Sequence, residues 1–377
     1  MTKANKKKQQ TTFLLVLCVL ICPFVFRYMG IGSFLTSSVG MILTFVSLLA
    51  CAATNYNIVV KRSNWILFTV TIVLLFTSFL KNGSYGVVVT FLNLCLFLIV
   101  LNNVSFSLRQ VQIARIVAIV FLVLLISDFK FSWKYGELLI YDGYEKINLN
   151  TYGILLLALY LNVVSLIDLS IKKKIIKYIL LVVATPIALY YISQSDCRSA
   201  LVSVFFLVVI VFIEKVNYKK MLFFLVLSGF LIPVLYISLH ETLGGLDFLG
   251  KSLYTGREAV WLHSWEFIKE APILGSGTSE RIVVQIGEVT DSTHNIYLAF
   301  WKAIGIAPML MFLWCLLNGE NTNTMTEKNV WSKKAFLACM VVSLVETLLN
   351  DPNYNFLFML LLMNVDEEFN QKKRWIW

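Results

Sequence analysis

Long apolar runs alternate with short polar segments along almost the whole chain. A helix that crosses the hydrocarbon core of a bilayer needs about 20 mainly apolar residues. This window predicts twelve membrane-spanning helices, at 12–29, 33–53, 64–80, 85–101, 111–127, 151–167, 175–192, 199–213, 221–238, 295–317, 331–349 and 353–365. We therefore expect an all-α polytopic membrane protein in which residues 1–377 form a single integral-membrane domain.

Two polar stretches, 128–150 and 239–294, are too long to be simple connections. The first is rich in aromatic and charged residues, which is typical either of an interfacial belt or of a wall that contacts sugars. The second contains the T-x-x-E pattern of a capping box, from Thr255 to Glu258. Residues at three- and four-residue spacing follow it and predict a short amphipathic helix on the membrane surface or on the bundle: Val260, Trp261, Ser264, Trp265 and Ile268.

Composition and charge narrow the class of protein. The chain is 58% hydrophobic and 14% charged, which is typical of integral membrane proteins. Its net charge of +10 is spread over the segments between spans and not over one soluble face, so we expect no nucleic-acid partner. The alternation of basic segments predicts a cell-membrane protein with both termini cytoplasmic and both long loops outside. The seven cysteines have no metal-like spacing, and we expect neither a metal nor a cofactor.

Two arginines are candidate anion ligands. Arg198 directly precedes the eighth predicted span, where an arginine and a helix N-terminus would form an anion site; the alternative is an arginine that reaches to the headgroups. Arg257 lies one turn before Trp261 on the same helix face. Its alternative role is an interfacial anchor.

The end of the second loop holds a glycine turn and a histidine. Two glycines within 272–277 would permit the close approach of another backbone or of a ligand. Ser292 or Thr293 is predicted to cap the tenth span, which places His294 in or beside its first turn. A lone histidine there is either structural or catalytic.

Four patterns occur in one order on the predicted outer side: S-x-S-x-x-R-S before a span, T-G-R-x-x-x-W on the surface helix, P-x-x-G-x-G, and H-N-x-Y-L into the next span. Together they resemble the O-antigen ligase and polymerase superfamily (Wzy and WaaL type). The resemblance covers about 185–310, which would be the ligase/polymerase-like core, with 239–294 as its large extracytoplasmic loop.

The resemblance implies a metal-independent membrane glycosyltransferase whose donor is a polyprenyl-pyrophosphate-linked oligosaccharide on the outer face. Arg198 and Arg257 would bind the pyrophosphate, and His294 would act on the acceptor hydroxyl or help to position it. Residues in a supporting role would be Ser195, Trp261, Asn295 and Tyr297. The chemistry agrees, because the departing phosphate needs cations where its charge develops, and arginine holds phosphate oxygens bidentately. Direct attack on the anomeric carbon would invert its configuration.

Three functions remain open. The Lys- and Asn-rich sequence points to a low-GC Gram-positive source without lipid A, which favours a polymerase of capsular or exopolysaccharide repeat units. The nearest alternative is a ligase that hands the same glycan to another acceptor. An alternative from another class is a polyprenyl-linked glycan flippase or transporter. A polymerase would work in the bilayer beside the flippase and chain-length regulator of its pathway.

Lys302 and Glu346 fall inside the tenth and eleventh predicted spans, where an unpaired charge is costly. We expect them to pair with each other. The alternative is contact with the polyprenyl phosphate or the glycan cavity.

Overall fold

The computed structural model describes most of the chain with gaps between elements. The described residues are 3–28, 38–55, 71–73, 75–77, 85–134, 137–142, 145–239, 247–248, 251–252, 257–277, 282–285, 288–290, 293–317, 330–346 and 355–365. Most of the third predicted span, Thr255 of the predicted capping box, and Ser292 lie outside them.

The elements of the first half are mainly long helices. They are α1 (Lys3–Tyr28), α2 (Ser38–Thr54), α3 (Tyr85–Asn103), β1 (Ser105–Phe106), α4 (Leu108–Ser127), β2 (Lys130–Lys134), β3 (Glu137–Asp142), β4 (Glu145–Ile147), α5 (Leu149–Ser170) and α6 (Lys174–Gln194).

The elements of the second half are shorter on average. They are α7 (Arg198–Phe212), α8 (Tyr218–Ser238), β5 (Asp247–Phe248), β6 (Lys251–Ser252), α9 (Arg257–Glu270), β7 (Ile282–Gln285), β8 (Glu288–Thr290), α10 (Ile296–Ile304), α11 (Ile306–Leu317), α12 (Val330–Val342), α13 (Asn355–Met359), a 3₁₀ turn (Leu360–Leu362) and β9 (Asn364–Val365).

The fold is mostly helical, and its long helices are those of a membrane protein. In the described part of the chain, α4, α5, α6 and α8 are long and apolar enough to cross a bilayer. Shorter apolar helical segments accompany them: Lys8–Ile21, Thr44–Thr54, Val88–Leu101, Arg198–Phe212 and Ile306–Leu317. The number of twelve spans stays a prediction.

Helix α12 is the buried centre of the bundle. Its side chains from Trp331 to Met340 are all buried, and it packs against α5, α7 and α8. It runs antiparallel to α7, because Ser203 Oγ donates to the Ala338 carbonyl at 2.6 Å while Lys334 Nζ donates to the Ile213 carbonyl at 2.8 Å. Both hydrogen bonds satisfy polar groups that the apolar interior would otherwise leave unpaired.

The predicted tenth span is two helices, α10 and α11, with Gly305 between them. Gly305 has φ 85° and ψ 179°, a conformation open essentially to glycine. The Pro272–Gly277 loop fills this break, and a Cβ atom on Gly305 would lie 1.9 Å from the Ile273 carbonyl oxygen. A Cβ on Gly275 would lie 2.6 Å from the Ala303 backbone. The predicted close approach at the glycine turn is therefore made by another backbone.

Hydrogen bonds fix the inserted loop. Ser276 N donates to the Lys302 carbonyl at 2.7 Å, and Gly277 N donates to the Ala303 carbonyl at 3.2 Å. On the other side of the break, Ile306 N donates to the Pro272 carbonyl at 3.0 Å. The loop thus satisfies backbone groups that a helix break would leave open.

The last two predicted spans need correction. Helix α12 ends at Val342, and Glu346 lies in the turns that follow it and not within a helix. In the predicted span 353–365, α13 passes into the 3₁₀ turn and then into β9, which pairs in parallel with β1. The Asn364 side chain supports this extended end, since Nδ2 donates to the Leu101 carbonyl at 2.8 Å.

The all-α expectation also needs correction in the polar stretches, which contain short strands. Within 128–150, β2, β3 and β4 form an antiparallel sheet in which Phe131 pairs with Ile140. Alternation of apolar and polar residues permits this, because successive side chains of a strand point to opposite faces. Ile140 is buried, and the Phe131 ring lies edge-on to Tyr152 of α5.

Candidate active site

One carboxylate joins two of the three predicted site residues. Glu346 Oε1 lies 2.6 Å from Arg257 Nη2, and Glu346 Oε2 lies 3.1 Å from His294 Nδ1. The Glu346 side chain is 8% exposed, whereas those of Arg257 and His294 are 24% and 28% exposed. The carboxylate is therefore the most deeply buried of the three groups, and the arginine and the histidine lie closer to solvent.

Arg257 is positioned by the buried face of α9. It is the first residue of that helix, and Trp261 follows one turn later with only 1% of its surface exposed. The indole Nε1 of Trp261 donates to the Thr293 carbonyl at 2.9 Å, and its ring packs edge-on against Tyr236 of α8. Trp261 thus holds the residue before His294 and fixes the helix that carries Arg257.

His294 has the unusual backbone conformation of φ 48°. A non-glycine residue in the left-handed region is uncommon and is often found where function requires a fixed side chain. In the described part of the chain the same holds for one other non-glycine residue, Asp196 at φ 54°, two positions before Arg198. One of these two strained residues is therefore a predicted site residue, and the other lies two positions before one.

Asn295 caps α10, so the expectation that Ser292 or Thr293 caps this helix is wrong. Its Oδ1 accepts from Tyr297 N and Leu298 N, both at 3.0 Å. Its Nδ2 donates to the Gly229 carbonyl at 2.8 Å and to the Leu344 carbonyl at 2.9 Å. Asn295 is completely buried and ties α8, α10 and the turn after α12 together.

Tyr297 packs in the core and does not reach the Arg257–Glu346–His294 contacts. Its ring lies against Gly229, where an added Cβ would meet ring carbon Cε2 at 2.1 Å. The Tyr297 hydroxyl is buried and makes no hydrogen bond in the described structure. This arrangement indicates a packing role.

The turn before Arg198 is built on Ser195. Ser195 is completely buried, and its Oγ donates to the Ile192 carbonyl at 2.6 Å and accepts from Cys197 N at 3.4 Å. The turn packs onto Gly153 of α5, where an added Cβ would lie 2.4 Å from Ser195 Oγ. Ser195 therefore shapes the turn that presents Arg198 at the start of α7.

Two observations place Arg198 at the same end of the bundle as Glu346. Ser203 of α7 lies beside Ala338 of α12, and the two helices are antiparallel. Arg198, five residues before Ser203, therefore lies level with Ser343, five residues after Ala338 and close to Glu346 in the chain. Burial raises the pKa of the Cys197 thiol, and the charges of Glu346 and Arg257 also act on it. We call this end, with Arg198, Arg257, His294 and Glu346, the site end.

For Glu346, the sequence favoured a pair with Lys302 and offered contact with the glycan cavity only as the alternative. The expected Lys302–Glu346 pair is wrong, since both Glu346 oxygens contact the site, and Lys302 Nζ instead lies 4.9 Å from the centroid of the Phe267 ring. The available signal was a lone carboxylate near the end of a predicted span, on the same side as Arg198 and His294.

The site contains no set of residues suited to a metal ion within the described ranges. No group of three or more His, Cys, Asp or Glu side chains comes together there. The polar side chains of the site end are instead two arginines, a histidine and a carboxylate, which suit anion binding and proton transfer.

The fold and these contacts describe a class of protein: a mostly helical membrane protein with histidine, carboxylate and arginine side chains in contact at one end of the bundle. Residues 181–313, less than half of the chain, match the family model described as O-antigen ligase. This match confirms the resemblance to the O-antigen ligase and polymerase superfamily over that part of the chain. No curated protein and no solved structure matches the chain.

Proposed function

We propose that the protein polymerises polyprenyl-pyrophosphate-linked oligosaccharide repeat units into capsular or exopolysaccharide on the outer face of the membrane. The observation that carries this proposal is the contact of one Glu346 carboxylate with both Arg257 and His294. It joins a phosphate-binding group and a candidate general base in one unit, as transfer from a pyrophosphate donor requires.

His294 is the general base of this proposal. Since Nδ1 lies against the Glu346 carboxylate, the tautomer with the proton on Nδ1 is favoured, and Nε2 then carries the lone pair. A carboxylate behind a histidine also stabilises the imidazolium that forms when Nε2 takes a proton. The left-handed backbone at His294 fixes the direction in which the ring points.

Arg257 and Arg198 bind the pyrophosphate. An arginine has five N–H donors in a planar fork, and the Arg257 contact with Glu346 Oε1 occupies one side of that fork. The remaining donors suit phosphate oxygens. Two arginines against one carboxylate leave these three side chains with net positive charge, which attracts an anionic donor.

The reaction follows from these roles. The acceptor hydroxyl oxygen attacks the anomeric carbon of the donor sugar, and the bond from that carbon to the pyrophosphate oxygen breaks. The bond electrons pass to the leaving pyrophosphate, where the arginines stabilise them. The hydroxyl proton passes to His294 Nε2. Attack from the face opposite the leaving group inverts the anomeric centre, and the step requires no metal.

The three-stranded sheet is the proposed sugar-contacting wall. Phe129 and Phe131 pack edge-on to Tyr152 of α5, with ring centroids 6.0 and 5.5 Å away. The next residue, Gly153, contacts the turn that carries Ser195 and Arg198. The sheet therefore lies beside the site end, where a growing glycan would pass.

The topology remains part of the proposal. Both termini would be cytoplasmic, 239–294 would be the extracytoplasmic loop, and 185–310 the ligase/polymerase-like core. The site end would then face outward, where the lipid-linked donor is presented. A flippase and a chain-length regulator of the same pathway are the expected partners.

Three alanine substitutions test the site. We expect Arg198→Ala, Arg257→Ala and His294→Ala to lose polymer in a capsule-restoration assay, by about 100-fold or more in rate. Matched controls are Arg109→Ala, on the exposed surface of α4, and His263→Ala, whose partner on α9 is the exposed Glu266. Full-length polymer from all three site variants, at wild-type protein levels, would show that the assignment is wrong.

A ligase is the second candidate, because the matching family model is described as O-antigen ligase. Deleting the protein and sizing the lipid-linked glycans separates the two functions. Single repeat units should accumulate if the protein is a polymerase. Long undecorated chains would accumulate if it is a ligase.

Glycan extension in the absence of an ion gradient would exclude a transporter. Purified protein in detergent should extend lipid-linked repeat units when no membrane separates two compartments. The same reaction should keep its rate in a chelator, because no step requires a metal. Absence of extension in detergent, with transport of intact lipid-linked units in vesicles, would support the flippase.

A further inference from the structure

A fully buried arginine lies far from the site, inside the opposite end of the bundle. Arg115 of α4 is 0% exposed and sits seven residues, or about 10 Å, inside the helix from Leu108. Its Nε donates to Ser165 Oγ of α5 at 2.8 Å, and Ser165 Oγ lies 2.5 Å from Ser332 Oγ of α12. Its two terminal nitrogens, Nη1 and Nη2, have no hydrogen-bond partner in the structure as described.

This arrangement is energetically incomplete as it stands. An arginine keeps its charge even when buried, and a buried charge is tolerated only when it is paired and hydrogen-bonded. One neutral hydroxyl on Nε leaves four N–H donors of the guanidinium without an acceptor. A group is therefore required at Nη1 and Nη2 that accepts hydrogen bonds and carries negative charge.

Among the described residues, the buried carboxylate on α5 already has other partners. Asp168 lies one turn beyond Ser165 on α5, and its Oδ1 contacts Lys177 Nζ at 2.5 Å. Its Oδ2 accepts from Trp331 N at 3.0 Å. One salt bridge and the N-terminus of α12 thus account for both oxygens.

The surroundings of Arg115 are rich in positive charge. Lys333 and Lys334 directly follow Ser332, and both are buried. Lys334 donates to two carbonyl groups at the end of α7, and Lys333 lies over the Tyr218 ring. In the described part of this end, three buried cations, Arg115, Lys333 and Lys334, share the interior with the single buried carboxylate of Asp168.

We propose that Arg115, Ser165 and Ser332 form a binding site for a small inorganic anion, of which chloride is the simplest. Nη1 and Nη2 of Arg115 hold the ion, and the Ser165–Ser332 pair positions the guanidinium through Nε. Water alone would satisfy the donors but would leave the charge uncompensated. A phospholipid headgroup is disfavoured because Arg115 has no exposed surface through which a lipid phosphate could reach it.

The site is structural and independent of the proposed reaction. It adjoins the start of α12, whereas Glu346 follows the end of the same helix, so the two ends are at least about 15 Å apart. An anion here would fasten α4, α5 and α12 together at the end opposite the site end. We call this the Arg115 end.

Anion-dependent stability of the purified full-length protein tests the proposal. The midpoint of thermal unfolding, followed by tryptophan fluorescence in detergent, should rise by roughly 2–4 °C when chloride replaces gluconate at constant ionic strength. Arg115→Met removes the charge at similar length, and the shift should disappear. Arg109→Met, on the exposed face of the same helix, should keep it.

Three results would overturn the proposal. The first is a wild-type midpoint that is the same in chloride and gluconate. The second is an Arg115→Met protein that responds to chloride as the wild type does. The third concerns the acidic residues Asp366, Glu367 and Glu368, which would be changed to Asn and Gln. If this change lowers the midpoint and chloride has no effect on the wild type, the counter-charge of Arg115 belongs to the chain itself.

A direct measurement keeps the test decisive if Arg115→Met does not fold. Wild-type protein crystallised in bromide should show an anomalous scattering peak within hydrogen-bonding distance of Arg115 Nη1 or Nη2. Bromide peaks confined to the surface lysines would contradict the site. Neither result depends on whether the protein is a polymerase.

Discussion

The two ends of α12 use arginine in opposite ways. At the site end, Arg257 is partly exposed and shares one carboxylate with His294. At the Arg115 end, the arginine has no exposed surface and is held by a serine through Nε alone. The first arginine has a charged partner and is partly exposed to solvent. The second has neither, and two buried lysines directly follow Ser332, which hydrogen-bonds to its serine partner.

The difference teaches that a buried charge is not by itself a sign of catalysis. An arginine that must exchange a carboxylate for a phosphate needs room to move and a partner of modest strength. An arginine that fastens helices needs a permanent counter-charge. We therefore expect changes at the site end to lower activity with little loss of stability, and changes at the Arg115 end to do the reverse.

Glu346→Gln should have the largest effect on activity. The amide keeps the shape but loses the charge that orients His294 and balances Arg257, so we expect a loss of about 100-fold or more in polymer formation. Initial rates with purified lipid-linked repeat units measure this. Glu266→Gln, at an exposed position on α9, is the matched control and should retain the wild-type rate. A Glu346→Gln enzyme of normal rate would contradict the role given to this carboxylate.

Asn295→Ala should lower both stability and activity, because Asn295 links the turn after α12 to the helix that follows His294. It makes four buried hydrogen bonds, two as donor and two as acceptor. Their loss should cost about 2–4 kcal/mol of unfolding free energy, since buried partners are left unsatisfied. Thermal unfolding in detergent checks this, and an unchanged midpoint would show that water replaces the side chain without cost.

Ser332→Ala should affect stability alone. The change removes one hydroxyl from the Ser165–Ser332 pair behind Arg115 and should cost about 1 kcal/mol. The rate of polymer formation at a temperature well below unfolding should stay within about twofold of wild type, since roughly 0.4 kcal/mol in a barrier corresponds to that factor. A large loss of rate with an unchanged midpoint would remove the distinction between the two ends.

Tyr297→Phe should have the smallest effect. The hydroxyl that it removes is buried and makes no hydrogen bond in the described structure. Removing a buried polar group that has no partner is close to neutral or stabilising, so we expect a change within about 0.5 kcal/mol. The rate should equal that of wild type. A marked loss of rate would show that the Tyr297 hydroxyl takes part in the reaction.

The sequence predicted helices well where a single chemical rule decides the outcome. The bounds of α6, α7 and α8 lie within a few residues of the predicted spans, because hydrophobicity alone defines them. The same rule failed at 295–317 and 331–349. There the helices end at Gly305 and at Val342, in places set by contacts with a distant loop and with neighbouring turns, which no local pattern contains.

Of the candidate site residues, the structure joins Arg257 and His294 through Glu346, a carboxylate for which the sequence favoured pairing with Lys302. Arg198, Arg257 and His294 belong to short patterns that chain order makes visible. Glu346 belongs to no pattern and is 52 residues from His294, so its contact depends on how the end of α12 meets α9 and α10. The pairing with Lys302 was expected because two opposite charges in adjacent predicted spans are a sound default, whereas Lys302 faces Phe267 on α9.

The loop inserted at Gly305 has a consequence for how the enzyme could open. Residues 272–277 connect the end of α9 to the break between α10 and α11 through three backbone hydrogen bonds. A movement of α9 away from the bundle would therefore have to break these hydrogen bonds or carry α10 with it.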